Sequence, residues 1–125
     1  MFTHVMVGSN DLAASRRFYD ATFAALGIAP GFATDTRAFY RSDAGAFGVV
    51  KPIDGAPACH ANGGTIGLAA ADKDQVEAWH AAGLASGGTD EGAPGLRANA
   101  PGNAYGAYLR DPAGNKLCVF CQLPG

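Results

Sequence analysis

The chain opens on a short extended apolar run, His4-Val5-Met6-Val7, and then changes period. After Asp11, the residues Leu12, Ser15, Phe18, Tyr19, Thr22, Phe23 and Leu26 recur at the three- and four-residue spacing that lines one face of a helix. Asp11 can accept hydrogen bonds from the free N–H groups of that helix start, and Gly27 offers a left-handed stop. The same order returns later. Thr65-Ile66-Gly67-Leu68 leads to a capping Asp72 or Asp74, Val76, Trp79, His80 and Gly83 trace a shorter stripe, and Gly87-Gly88 supplies the stop. Short strands are expected at 37–42, 46–51, 104–110 and 115–122. Asp111-Pro112-Ala113-Gly114-Asn115 is a turn by its chemistry, because Pro fixes φ while Gly and Asn tolerate φ > 0.

These two passages are copies of one unit. An offset of 61 lays Thr65 over His4, Trp79 over Phe18, His80 over Tyr19 and Gly88 over Gly27. An offset of 69 lays Ala107-Tyr108-Leu109-Arg110 over Ala38-Phe39-Tyr40-Arg41, Gly114 over Gly45, and Cys118-Val119 over Val49-Val50. The pattern predicts one domain over residues 1–125 of α+β class, with module one at about 1–55 and module two at about 62–123.

Composition narrows the function classes. A hydrophobic content of 48% with 16% charged residues suits a globular chain of 125 residues. The formal net charge of -2, without a Lys or Arg cluster, argues against a nucleic-acid partner. No apolar run approaches the roughly 18 residues of a membrane span, and no basic segment precedes a long apolar stretch at the start, so no membrane and no signal peptide are expected. Cys59, Cys118 and Cys121 are an odd set without disulfide spacing, which fits a reducing cytoplasm. Cys118 and Cys121 stand three apart in an expected strand, where their thiols point to opposite faces. Phosphate-loop, Rossmann and nucleophile-elbow motifs are absent.

The two ends of the chain carry a resemblance. His4-Val5-Met6-Val7 followed by Asp11-Leu12, Ser15 and Phe18-Tyr19 is similar to the H-x-x-L-x-V-x-D-L-x-x-S-x-x-F-Y opening of vicinal-oxygen-chelate proteins, the glyoxalase/bleomycin-resistance/dioxygenase superfamily. Asp111-Pro112-Ala113-Gly114-Asn115-Lys116-Leu117-Cys118 resembles their D-P-D-G-N-x-x-E hairpin, and residues 87–97 resemble a bacterial glyoxalase-like branch. The resemblance implies two tandem βαβββ modules that form a curved mixed-sheet cleft, which in the family holds a divalent metal and a substrate. It also implies a homodimer.

In that family one ligand comes from the first strand and one from the last strand of each module. Carried over through the repeat, the four positions are His4, Thr65, Val49 and Cys118. Only His4 is a family-type ligand; Val49 cannot coordinate, and Lys51 would repel a cation if it faced inward. The expectation is therefore a glyoxalase/bleomycin-resistance-like protein that binds or transforms a small organic molecule without a metal cofactor. His4 would be the polar anchor, with Thr65, Tyr105, Cys118 and Arg97 as further ligand-binding candidates. The alternative is a metal-dependent lyase, isomerase or extradiol-type dioxygenase in which His4, Cys118 and His60 hold zinc, iron or manganese. Catalysis of that kind needs a carboxylate base, and no Asp or Glu stands at the expected strand positions. A thiolate at Cys118, activated by His4, is a separate expectation. Trp79 is expected in the core and His80 partly exposed on its helix. Asn99 and Asn103 are expected beside the cleft mouth.

Overall fold

A computed structural model describes residues 1–125. Its elements run β1 (His4–Gly8), α1 (Leu12–Ala25), β2 (Pro30–Ala33), β3 (Arg37–Ser42), β4 (Gly45–Val50), β5 (Ile66–Ala69), α2 (Lys73–Ala85), β6 (Thr89–Leu96), β7 (Ala104–Arg110) and β8 (Lys116–Gln122). They form two four-stranded mixed sheets, ordered β1-β4-β3-β2 and β5-β8-β7-β6. In each, the first strand lies parallel to the last and the remaining pairs are antiparallel. The duplicated βαβββ order is thus realised as two equivalent sheets in an α+β molecule. No helix is long and apolar enough to cross a membrane.

Local chemistry sets the helix ends. The Asp11 carboxylate accepts from the Ala14 N–H, and the Asp72 carboxylate from the Gln75 N–H, so Asp72 and not Asp74 is the second cap. Gly27 (φ +78°) and Gly87 (φ +95°) turn the chain out of α1 and α2. At the first of these ends, the Ile28 N–H donates to the Phe23 carbonyl.

Each helix covers one face of its own sheet, and α1 packs on α2. One buried cluster joins Phe18, Tyr19 and Phe23 of α1, Val76 and Trp79 of α2, and the inward residues of both sheets. Trp79 is in the core as expected, at 1% exposure. His80 corrects the expectation: it is buried, with Nε2 2.8 Å from an Asp90 carboxylate oxygen on β6.

No backbone hydrogen bond links the modules. Two side-chain bonds do so instead. Tyr19 Oη donates to Asp111 at 2.5 Å, and Asn115 Nδ2 donates to the Gly8 carbonyl at 2.9 Å. Asp111 also accepts from the Ala113 and Asn115 N–H groups and from Asn115 Nδ2. Burial, followed by the Asp111 charge and hydrogen bond, pushes the Tyr19 phenol well above its usual range, so it stays a donor. The D-P-x-G-N turn is therefore a clasp between modules.

The two hairpins differ by one residue. Arg41 pairs with Ala46 across residues 42–45, whereas Arg110 pairs with Lys116 across residues 111–115. Beyond this turn the repeat offset becomes 70, which corrects the sequence alignment. Gly48, not Val49, is the counterpart of Cys118, and Val49 is the counterpart of Val119, both fully buried in the core.

Candidate functional site

Strand alternation decides which side chains are available for chemistry. On β1, Val5 and Val7 pack toward the core while His4 and Met6 are exposed; on β3, Ala38 and Tyr40 are buried while Arg37 and Arg41 are exposed. Strand register then arranges the uncovered face of the first sheet in three rows. They are His4–Ala46–Arg41, Met6–Gly48–Phe39 and Gly8–Val50–Arg37. The matching face of the second sheet carries Cys118 between Gly67 and Tyr108, and Phe120 between Ala69 and Gly106.

Along the seam between β1 and β5, His4 and Val5 share a hollow with Gly67, Leu68 and Ala69, while Met6, Val7 and Gly8 share another with Thr65 and Ile66. The first hollow, about 260 Å³, also reaches Phe23, Leu26 and Tyr40. A further concavity, about 420 Å³, lies on the uncovered face over Thr3, His4, Met6, Arg37, Phe39, Arg41 and Ala46. His4 lines both this concavity and the first hollow. Its Nδ1 lies 2.9 Å from Thr3 Oγ1, which orients the ring and leaves Nε2 without a protein partner.

The other expected residues are spread apart. Thr65 lines a separate hollow with Met6, Gly8, Cys59 and Lys116, at the end of the seam opposite His4. His60 lies against the Gly114 turn, at that same far end. Cys118 lies on the uncovered face beside Gly67, whose Cβ, if present, would be 3.3 Å from the thiol. Tyr105 faces the opposite way, into the core, with its hydroxyl donating to Glu77 of α2 at 2.7 Å. That bond to a carboxylate, with burial second, holds its phenol above the usual range.

Arg97 is occupied as a clamp on its own strand. It donates to the Ala93 and Gly95 carbonyls and lies 5.6 Å from the centre of the Tyr108 ring. Asn103 donates to the Pro124 carbonyl, Asn99 lies in the turn between β6 and β7, and Lys51 lines a hollow with Asp11 and Asp35 away from His4. Arg37, Phe39, Arg41 and Tyr108 are the residues that reasoning from motifs missed. Alternation along β3 and β7 was the available signal, since each stands two residues from another outward-facing position.

The donor set does not fit a divalent metal. The family's four positions hold His4, Thr65, Gly48 and Cys118 in this chain, and no three His, Cys, Asp or Glu side chains come together anywhere in the molecule.

The surroundings of Cys118 disfavour its thiolate. Burial raises its pKa above the ordinary thiol value, and nearby Lys116 offsets this only in part. Alkylation with iodoacetamide at neutral pH, followed by peptide mass spectrometry, is expected to modify exposed Cys59 well before Cys118 and Cys121. Modification of Cys118 as fast as Cys59 would contradict this.

Comparison with known proteins agrees with this architecture. Residues 1–119 match the model of the Glyoxalase/Bleomycin resistance protein/Dioxygenase superfamily. The crystal structure of a glyoxalase/bleomycin resistance protein from Albidiferax ferrireducens T118 is similar at 57% identity and a TM-score of 0.92, covering 96% of this chain and 98% of that one. A glyoxalase-related enzyme from Fulvimarina pelagi shares the fold at 21% identity and a TM-score of 0.76, covering 96% of this chain and 86% of that one. So does a lactoylglutathione lyase from Agrobacterium tumefaciens, at 23% identity and a TM-score of 0.68, covering 96% of this chain and 92% of that one. No curated protein matches the chain.

Proposed function

Because the chain belongs to the Glyoxalase/Bleomycin resistance protein/Dioxygenase superfamily, we propose that it binds a small organic molecule around His4 by direct side-chain contacts, without the metal that its donor set does not fit. The observation that carries this reading is the position of His4. It lines both hollows, one mainly apolar and one with arginines around an apolar floor, with one ring nitrogen held by Thr3 and the other free. A small set of polar groups beside apolar walls is the usual composition of a ligand site. Met6 and Phe39 supply adaptable apolar contact, and His4 supplies the orienting hydrogen bond.

Catalysis is not required by this arrangement. The uncovered face of the first sheet has no carboxylate and no activated nucleophile, so binding and sequestration are its supported chemistry. Pairing of two chains is part of the proposal, by likeness to the family, and its measurement is sedimentation in solution.

Fragment screening by amide NMR provides the test. Hits are expected to shift the amides of β1, β3 and β4, and His4→Ala is expected to weaken them about tenfold, the loss of one oriented hydrogen bond. Hits that map elsewhere would overturn the proposal. So would stoichiometric zinc, iron or manganese, in protein purified without a polyhistidine tag, that disappears in His4→Ala.

A further inference from the structure

The first sheet is uniform in charge. β1, β2, β3 and β4 contain Arg37 and Arg41 but no Asp or Glu. The molecule's two ion pairs are His80–Asp90 and Arg110–Glu91, so both β3 guanidinium groups are unpaired and exposed. Asp35 and Asp43 stand in the flanking turns, two residues beyond each arginine, and pair with neither. An unpaired guanidinium on the wall of a concavity is a ready partner for a carboxylate or phosphate, which it grips through two parallel N–H donors.

The spacing adds a second constraint. Arg37 and Arg41 lie four residues apart on one face of β3, about 13 Å between Cα atoms, and they line the same concavity. Between them the floor is apolar. Gly48 has no side chain, and the Met6 thioether and Phe39 ring close over the space that its Cβ would fill. At one end, small Ala46 separates Arg41 from His4, so the free imidazole nitrogen can join the guanidinium on one acidic group.

We propose that this face takes an organic dianion: a molecule with an acidic group at each end of a flat apolar body, held by Arg41 with His4 at one end and by Arg37 at the other. The body lies on Phe39 and Met6. This inference rests on the binding role of the His4 face and adds the chemical class of the ligand.

The test compares three soluble probes of one shape by amide NMR titration at low salt: naphthalene-2,6-dicarboxylate, 2-naphthoate and 2-naphthalenemethanol. The dianion is expected to bind about tenfold more tightly than the monoanion, and the monoanion more tightly than the alcohol, with shifts on β1, β3 and β4. Raising salt should weaken the dianion most. Arg37→Gln and Arg41→Gln should each bring dianion affinity down to about that of 2-naphthoate, and Arg41→Lys should recover part of the loss. Thermal melting of each variant checks that these surface changes leave the fold intact.

A dianion that binds no better than the alcohol, or that is indifferent to both arginines, overturns the inference. If the alcohol then still binds and depends on His4, the parent reading survives alone. If none of the three probes binds, both readings fall.

Discussion

Asp111→Ala is expected to destabilise the protein by about 3–5 kcal/mol, roughly a 10–20 °C fall in melting temperature for a chain of this length. Asp111 is 3% exposed, and its carboxylate accepts from Tyr19 Oη, two backbone N–H groups and Asn115 Nδ2. Alanine leaves Tyr19 Oη and the Asn115 N–H buried near the module junction without this acceptor, removes the acceptor of the Ala113 N–H, and leaves Asn115 Nδ2 only the Gly8 carbonyl. The cost is then the desolvation of several groups rather than the modest net worth of one bond. The position also matters, because the Tyr19 and Asn115 bonds are the polar connections between modules. Tyr19→Phe removes one hydroxyl and leaves Asp111 its other partners, so its loss should be nearer 1–2 kcal/mol. Denaturant titration of both variants checks the ordering. A loss below about 1 kcal/mol for Asp111→Ala would mean that the turn holds its shape without the carboxylate.

At Gly83 backbone propensity and packing act with opposite signs. Alanine in place of a helix-interior glycine usually gains up to about 1 kcal/mol. In α2, however, a Cβ at Gly83 would lie well inside 3.0 Å of the Leu109 side chain, and 3.2 Å from Phe18. Leu109 and Phe18 are both fully buried, so neither has open space to move into. Overpacking of that kind costs about 1–3 kcal/mol, and it should win. Gly83→Ala is therefore expected to melt lower than the parent. Adding Leu109→Val shortens the obstructing side chain, and the double variant should lose clearly less than the sum of the two single losses. Additive losses would show that the close approach of α1, α2 and β7 is not what forbids the methyl group.

Much of the fold was written in periodicity. The helix stripes, the cap at Asp11, and strands β3 and β7 all follow from residues that obey one period at a time, whereas Asp72 and Asp74 were both open as the second cap. β2 and β6 were not foreseen individually, for a physical reason. Pro30-Gly31 opens one, Gly92, Pro94 and Gly95 interrupt the other, and both are edge strands with shifted register, where proline and glycine are tolerated. The site was less legible than the fold. His4 announced itself by its place in a motif, but Tyr105 was read by sequence position when its neighbours show that it points at α2. Pairing Cys118 with Val49 failed because a single added turn residue exchanges the faces of every position after it. Arg37 and Arg41 belong to no motif, and only the register that brings them level with Gly8 and His4 gives them a common purpose.

The confinement of backbone pairing to each module bears on how the chain reaches this structure. The most distant pairing in the first sheet joins residue 4 to residue 46, and in the second it joins 66 to 117. Each sheet can be closed by a loop no longer than its own module, and neither ladder needs an edge supplied by the other. The entropy of loop closure is met twice over short spans, although β1 and β8 lie at opposite ends of the sequence. Duplication thus gave the chain a larger shared core while keeping the contact range of a protein half its length.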